Sequence, residues 1–146
     1  MNINELYSQT IKEHNLYHHN RHELEEASLE MPGKNPSCGD DIRLYLKLED
    51  GVIADASYTG VGCAISQASV SIMIDMVRDK TLEEAEELCQ LFLRMIRQAP
   101  LSDEEIELLE EAVALSNVSN MPARVKCATM PWHTLLAAIN TANVES

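Results

Sequence analysis

Aromatic residues are scarce in this chain, which has one Trp, one Phe and four Tyr among 146 residues. The core expected from such a composition is mainly aliphatic, with several of the seven Met filling it. Basic residues are also few: 11 Lys and Arg face 24 Asp and Glu, giving a formal charge of −13. A surface of that sign repels nucleic acid and anionic membranes and favours a basic partner surface instead. No apolar run approaches the ~20 residues needed to span a bilayer. The opening stretch MNINELYSQTIKEHN is polar and helix-like, without the basic start and apolar stretch of a signal peptide, so a cytoplasmic location is expected. There, four cysteines are better suited to metal binding, catalysis or simple burial than to disulfides. No CxxC pair, internal repeat, low-complexity tract or long linker is present, and residues 1–146 are expected to form one domain.

What is there is clear periodicity. Ile3 to about Lys12 has helical spacing, with Ile3, Leu6, Tyr7 and Ile11 on one side. A polar stretch, NLYHHNRHELEEASLEMPGKNPS, follows and reads as irregular surface. Its histidines His18, His19 and His22 invite a metal reading, but His22-Glu23 lacks the second histidine a metalloprotease motif needs, and solvated loop histidines are the simpler expectation. Ile42, Leu44, Leu46 and Leu48 alternate along one strand face. Glu49-Asp50-Gly51 marks a hairpin turn, and Val52, Ala54, Ala56 and Tyr58 predict the face of the return strand. Helical spacing runs from Ala64 to about Asp79. Capping-box signals at Thr81–Glu84 and Ser102–Glu105 predict acidic helices over about 81–98 and 103–116. Residues 117–120 read as a break, and a last helix is expected from Pro131, started or kinked there, to about Ala142. The fold class is α+β, a small antiparallel sheet of two to three strands packed against several helices.

The cysteines divide into two groups. Cys89 falls on the apolar stripe of the first capped helix and reads as a small buried hydrophobe. Cys38 lies in a turn-rich stretch, GKNPSCGDD, Cys63 at a strand-to-helix junction, and Cys127 in a segment read as a break between helices. Functional residues concentrate on such irregular backbone. Three thiolates with Asp40 would suit tetrahedral zinc, and Gly39 permits the bend that brings Cys38 and Asp40 onto one ion. Asp40 could equally be a turn or capping residue, and Asp41 could fill that role as well. A site of this composition carries a formal charge of −2, which Arg124 and Lys126 are placed to offset; Arg124 reads equally as an exposed cation, and Lys126 reads chiefly as one.

The segments NPSCGDDI, TGVGCAISQAS and MPARVKCATMPW resemble those of the SufU branch of the IscU/NifU-type iron–sulfur assembly proteins. The resemblance spans nearly the whole chain. It implies a compact α+β fold with three cysteines meeting at one exposed end. It further implies zinc ligands at Cys38, Asp40, Cys63 and Cys127, and a supporting arginine at Arg124. Lys126 stands where IscU-type members have a histidine, MPARVK matches the LPPVK-like chaperone motif poorly, and the acidic stretch between Ala99 and Val118 resembles the insertion of SufU-type members. The implied activity is sulfur transfer. A pyridoxal-phosphate cysteine desulfurase of the SufS type makes a persulfide, its histidine takes the place of Cys38 on zinc, and the freed Cys38 accepts the sulfur and passes it to a downstream assembly scaffold. The alternative is that the same cysteines assemble a transient [2Fe–2S] cluster.

Overall fold

The computed structural model describes residues 3–145, of which residues 3–8 and Glu145 are described by backbone alone. The expected inward face of Ile3, Leu6 and Tyr7 therefore lies outside the described side chains, while Ile11 is buried. Helix α1 (Ile3–Tyr17) leads into three strands, β1 (Leu29–Asn35), β2 (Asp40–Glu49) and β3 (Val52–Val61), and then into α2 (Ala64–Val77), α3 (Leu82–Ile96) and α4 (Asp103–Leu108). A 3-10 segment, Glu110–Asn120, precedes the long α5 (Pro122–Glu145). The strands form one antiparallel sheet in the order β1-β2-β3.

The β2–β3 hairpin follows from its sequence. Asp50 and Gly51 adopt φ of 53° and 77°, the left-handed pair that a tight two-residue hairpin turn requires. Ile42, Leu44 and Leu46 face the core as their alternation predicts. On β3 the phase changes along the strand. A register shift at Lys47/Leu48 pairs Leu48 with Ile53 while Leu46 still pairs with Ala56. The extra residue turns Ile53, rather than Ala54, inward. The stretch read as irregular contains β1, whose Pro32 and Gly33 are tolerated because β1 is an edge strand.

α2 is the central helix. Ten of its residues are buried, Ser66, Ser69 and Ser71 among them, and it packs on α1, α5 and β3. The chain's single Phe and single Trp meet beside it: Phe92 and Trp132 stack with ring centroids 4.1 Å apart and planes 9° from parallel. The Trp132 indole N–H donates to Ser69 Oγ at 2.9 Å, and that hydroxyl donates to the Ala128 carbonyl at 2.6 Å. Both capping boxes form, at Thr81 and at Ser102.

Two helix boundaries differ from expectation. The helix expected over 103–116 stops at Leu108, because Glu110 takes φ of 45° and the backbone tightens into the 3-10 segment that continues through 117–120. The segment expected as a break before Pro131 is helical throughout: α5 starts with Pro122, where a missing N–H costs nothing, and runs past Pro131. Pro131 cannot donate to the carbonyl one turn earlier, which belongs to Cys127.

Candidate metal centre

Three segments far apart in sequence meet at the end of the sheet where β1 turns into β2. Residues 36–39 form the turn, with Gly39 at φ 70°, a left-handed conformation that glycine adopts without strain. Cys38 sits on this turn, half-buried, with its thiol 3.8 Å from the Ala123 carbonyl. Asp40 begins β2 and is only 2 % exposed, whereas Asp41 points out to solvent. The pleat therefore selects between the two: Asp40 turns inward, and Asp41 does not. Cys127 is fully buried, and it lies inside α5 rather than in a break between helices.

Ligand atoms of Cys38, Asp40 and Cys127 all lie within 4.8 Å of one another. The Cys38 and Cys127 sulfurs are 2.9 Å apart as free thiols. Two sulfurs on a tetrahedral zinc, each about 2.3 Å from it, stand roughly 3.8 Å apart. An ion thus requires this pair to spread, and of the two Cys38 lies on a turn while Cys127 lies inside α5. Cys63 is the N-cap of α2, its sulfur accepting the Ser66 N–H at 3.4 Å. It falls outside the trio whose ligand atoms lie within 4.8 Å of one another, and its nearness helps to raise the Cys127 thiol.

Asp40 is oriented by its own contacts. Oδ1 accepts the Cys63 backbone N–H and the Ser66 hydroxyl, each at 2.9 Å. Oδ2 faces the buried Asn35, whose amide nitrogen stands 3.3 Å from it and 3.6 Å from the Cys127 sulfur. The capping reading is met by Oδ1, and it is compatible with the ligand reading. Gly62 makes this possible, because a Cβ there would lie 2.9 Å from Asp40 Oδ1 and collide with Ser66 Oγ. Asn35 and Ser66 are site residues that sequence reasoning missed. The only signal was adjacency: Asn35 lies three residues before Cys38, and Ser66 three after Cys63.

Burial first, then hydrogen bonding with Cys38 and Cys63, pushes the Cys127 thiol well above the usual range. Such a thiol keeps its proton at neutral pH until a cation displaces it. Arg124 is exposed at the start of α5, and its nearness to the Cys127 sulfur raises its guanidinium further. Lys126 points elsewhere, into an open cleft of about 430 Å³ with Lys34 and His133. Cys89 is buried in α3, and burial, then the Glu86 charge, raises its thiol far out of the reactive range. The donor set of three thiols and a carboxylate fits zinc or iron and is too soft for magnesium or calcium.

The fold and this cysteine end together define a class, the small α+β proteins of iron–sulfur assembly. The chain belongs to the NifU-like N-terminal domain family, whose model matches residues 6–128. It is 39% identical over 134 residues to the iron–sulfur cluster assembly scaffold protein IscU of Thermotoga maritima, covering 92% of each chain. It is also 39% identical over 134 residues to the zinc-dependent sulfurtransferase SufU of Bacillus subtilis, covering 92% of this chain and 89% of that one. A crystal structure from Fervidobacterium islandicum AW-1, described as a candidate iron–sulfur cluster assembly scaffold for the SUF system, superposes with a TM-score of 0.86. It shares 34% identity and covers 92% of this chain and 97% of its own. Among the described residues no helix is long and apolar enough to cross a membrane.

Proposed function

We propose that this protein is a zinc-dependent sulfur acceptor that takes persulfide sulfur from a cysteine desulfurase for iron–sulfur cluster assembly. The observation that carries this reading is the unequal setting of the candidate ligands. Asp40 and Cys127 are buried on β2 and α5, Cys63 caps α2, and Cys38 alone rides on a turn. Cys38, Asp40, Cys63 and Cys127 would hold the ion, which keeps their thiols deprotonated when bound. In the transfer, the Cys38 thiolate attacks the outer sulfur of the desulfurase persulfide. A new S–S bond forms on Cys38 as the old one breaks, and the desulfurase cysteine leaves as a thiolate. No external oxidant or reductant is needed. Arg124, at the mouth of the site, offsets the negative charge that the attack brings together. The Bacillus relative's name supports this reading.

A second reading, a scaffold that builds a [2Fe–2S] cluster on the same cysteines, is favoured by the name of the Thermotoga relative. One experiment separates the two. The protein is purified anaerobically, its metal counted, and its stimulation of a SufS-type desulfurase measured for wild type and Cys38→Ala. One zinc per chain, stimulation abolished in Cys38→Ala, and a persulfide on Cys38 by mass spectrometry support sulfur acceptance. Unchanged stimulation by Cys38→Ala sinks it, and a coloured cluster that transfers to an apo-ferredoxin supports the scaffold.

A further inference from the structure

The histidines flagged between residues 18 and 22 do not act as a group. His18 is exposed, and its φ of 50° turns the chain back toward α2. His22 turns its Nδ1 to the Glu23 carbonyl oxygen at 2.9 Å. His19 is directed to α2, where its Nε2 lies 3.0 and 3.2 Å from the two carboxylate oxygens of Asp75. A third group completes this arrangement, His14 of α1, which no sequence pattern had singled out. Ligand atoms of His14, His19 and Asp75 all lie within 4.8 Å of one another, and the two imidazole centroids are 5.5 Å apart.

The surroundings are those of a built site rather than a chance pairing. His14 is 6 % exposed and has a partner at each ring nitrogen: Ser71 Oγ at 2.8 Å from Nδ1 and Glu111 Oε2 at 2.7 Å from Nε2. An ion requires one ring nitrogen to release its partner, and the other then stays tied to α2 or to the 3-10 segment. That is how metal-binding histidines are oriented and their tautomer fixed. Asp75 is positioned by the Asn20 amide, which donates to Oδ1 at 2.9 Å, and by Arg78 at 3.4 Å from the same oxygen. Asn20 is itself 1 % exposed and also donates to the Ser71 carbonyl and hydroxyl. On a tetrahedral ion with bonds of about 2.0–2.1 Å, neighbouring nitrogen and oxygen ligands stand roughly 3.3 Å apart. The His19–Asp75 pair is already near that spacing. His14 supplies the fixed member, and the exposed His19 and Asp75 leave a way in from solvent.

We propose that His14, His19 and Asp75 form a second, accessory cation site, selective for divalent transition metals such as Zn²⁺ or Ni²⁺ and separate from the cysteine end. Two imidazoles and a carboxylate suit such ions, whereas magnesium and calcium call for all-oxygen ligation. The ion would tie α1 and the loop after it to α2.

The test is equilibrium dialysis of the full-length protein against micromolar free Zn²⁺, with metal per chain counted by elemental analysis. Wild type is expected to hold two equivalents. His19→Ala and Asp75→Asn are each expected to hold one, and Cys127→Ser is expected to keep the imidazole-bound equivalent. Substituting Co²⁺ gives an independent readout: the sulfur-to-cobalt charge-transfer band should be the same in His19→Ala as in wild type. A wild type that holds one equivalent, or a second equivalent that survives both His19→Ala and Asp75→Asn, overturns the proposal and leaves His19–Asp75 as an ion pair only.

Discussion

One helix, α2, carries a different set of donors at each end. At its N-terminus Cys63 caps the helix beside two further thiols and a carboxylate that is 2 % exposed. Near its C-terminus Asp75 meets two imidazoles, largely in solvent. The twelve-residue separation of Cys63 and Asp75 spans about 18 Å of helix, so the clusters share a scaffold without sharing a ligand. The difference is one of chemistry and of freedom. The thiol end is soft and crowded, with two buried members and one on a turn, which suits a centre whose ligand set changes during work. The imidazole end is harder, with one buried member and two exposed ones, which suits a static ion.

The largest effect that could break this comparison is loss of the thiol end. Cys127→Ser should weaken zinc binding there by more than about 100-fold, since outer partners alone are worth about 10–100-fold. Metal-competition titration reads this directly, and equal affinity in the variant would remove Cys127 from the site. Ser66→Ala comes next, with zinc affinity falling by about 10–100-fold, because Asp40 Oδ1 loses one of its two donors. The fold should persist, as judged by circular dichroism. An intermediate effect separates site from core: Phe92→Ala should cost about 3–5 kcal/mol in denaturant unfolding, while the metal stoichiometry of the folded protein stays that of wild type.

The smallest effect concerns Asp75. Burial raises its carboxyl, but hydrogen bonds from Asn20 and His19 and the nearby imidazole charges outweigh that and hold it below the usual carboxylate range. A carboxylate depressed in the folded state stabilises above its unfolded pKa of about 3.9 and loses that contribution as pH falls through the lower folded value. Asp75→Asn should therefore cost about 1 kcal/mol or less at neutral pH, the group being partly exposed. The gap from wild type should shrink once the pH drops below about 4, and urea midpoints measured across that range check it.

Much of the fold was legible because periodicity is a local signal. The β2–β3 hairpin, α2 and both capping boxes followed from residues within a few positions of one another. The errors cluster where a non-local environment overrode a local rule. Pro32 and Gly33 read as loop, yet an edge strand needs no donor from Pro32. Pro131 read as the start or kink of the last helix, yet α5 opens at Pro122 and runs past Pro131 at the cost of a single hydrogen bond. The cysteines and Asp40 could be named as candidates from chemistry and resemblance. Asn35 and Ser66 could not, because their roles depend on which way the first β2 residue points. His14 was invisible for the same reason: its partners lie 57 and 97 residues away.

The stacked Phe92–Trp132 pair gives the molecule an optical reporter. Trp132 is the only tryptophan, so emission excited at the red edge arises from one indole, fully buried and five positions along α5 from Cys127. Its spectrum should sit at short wavelength while the stack and the bond to Ser69 hold. Any event that shifts α5 against α2 or α3 should register there without an attached dye. The same scarcity of aromatics that left the core aliphatic leaves this signal free of competing tryptophans.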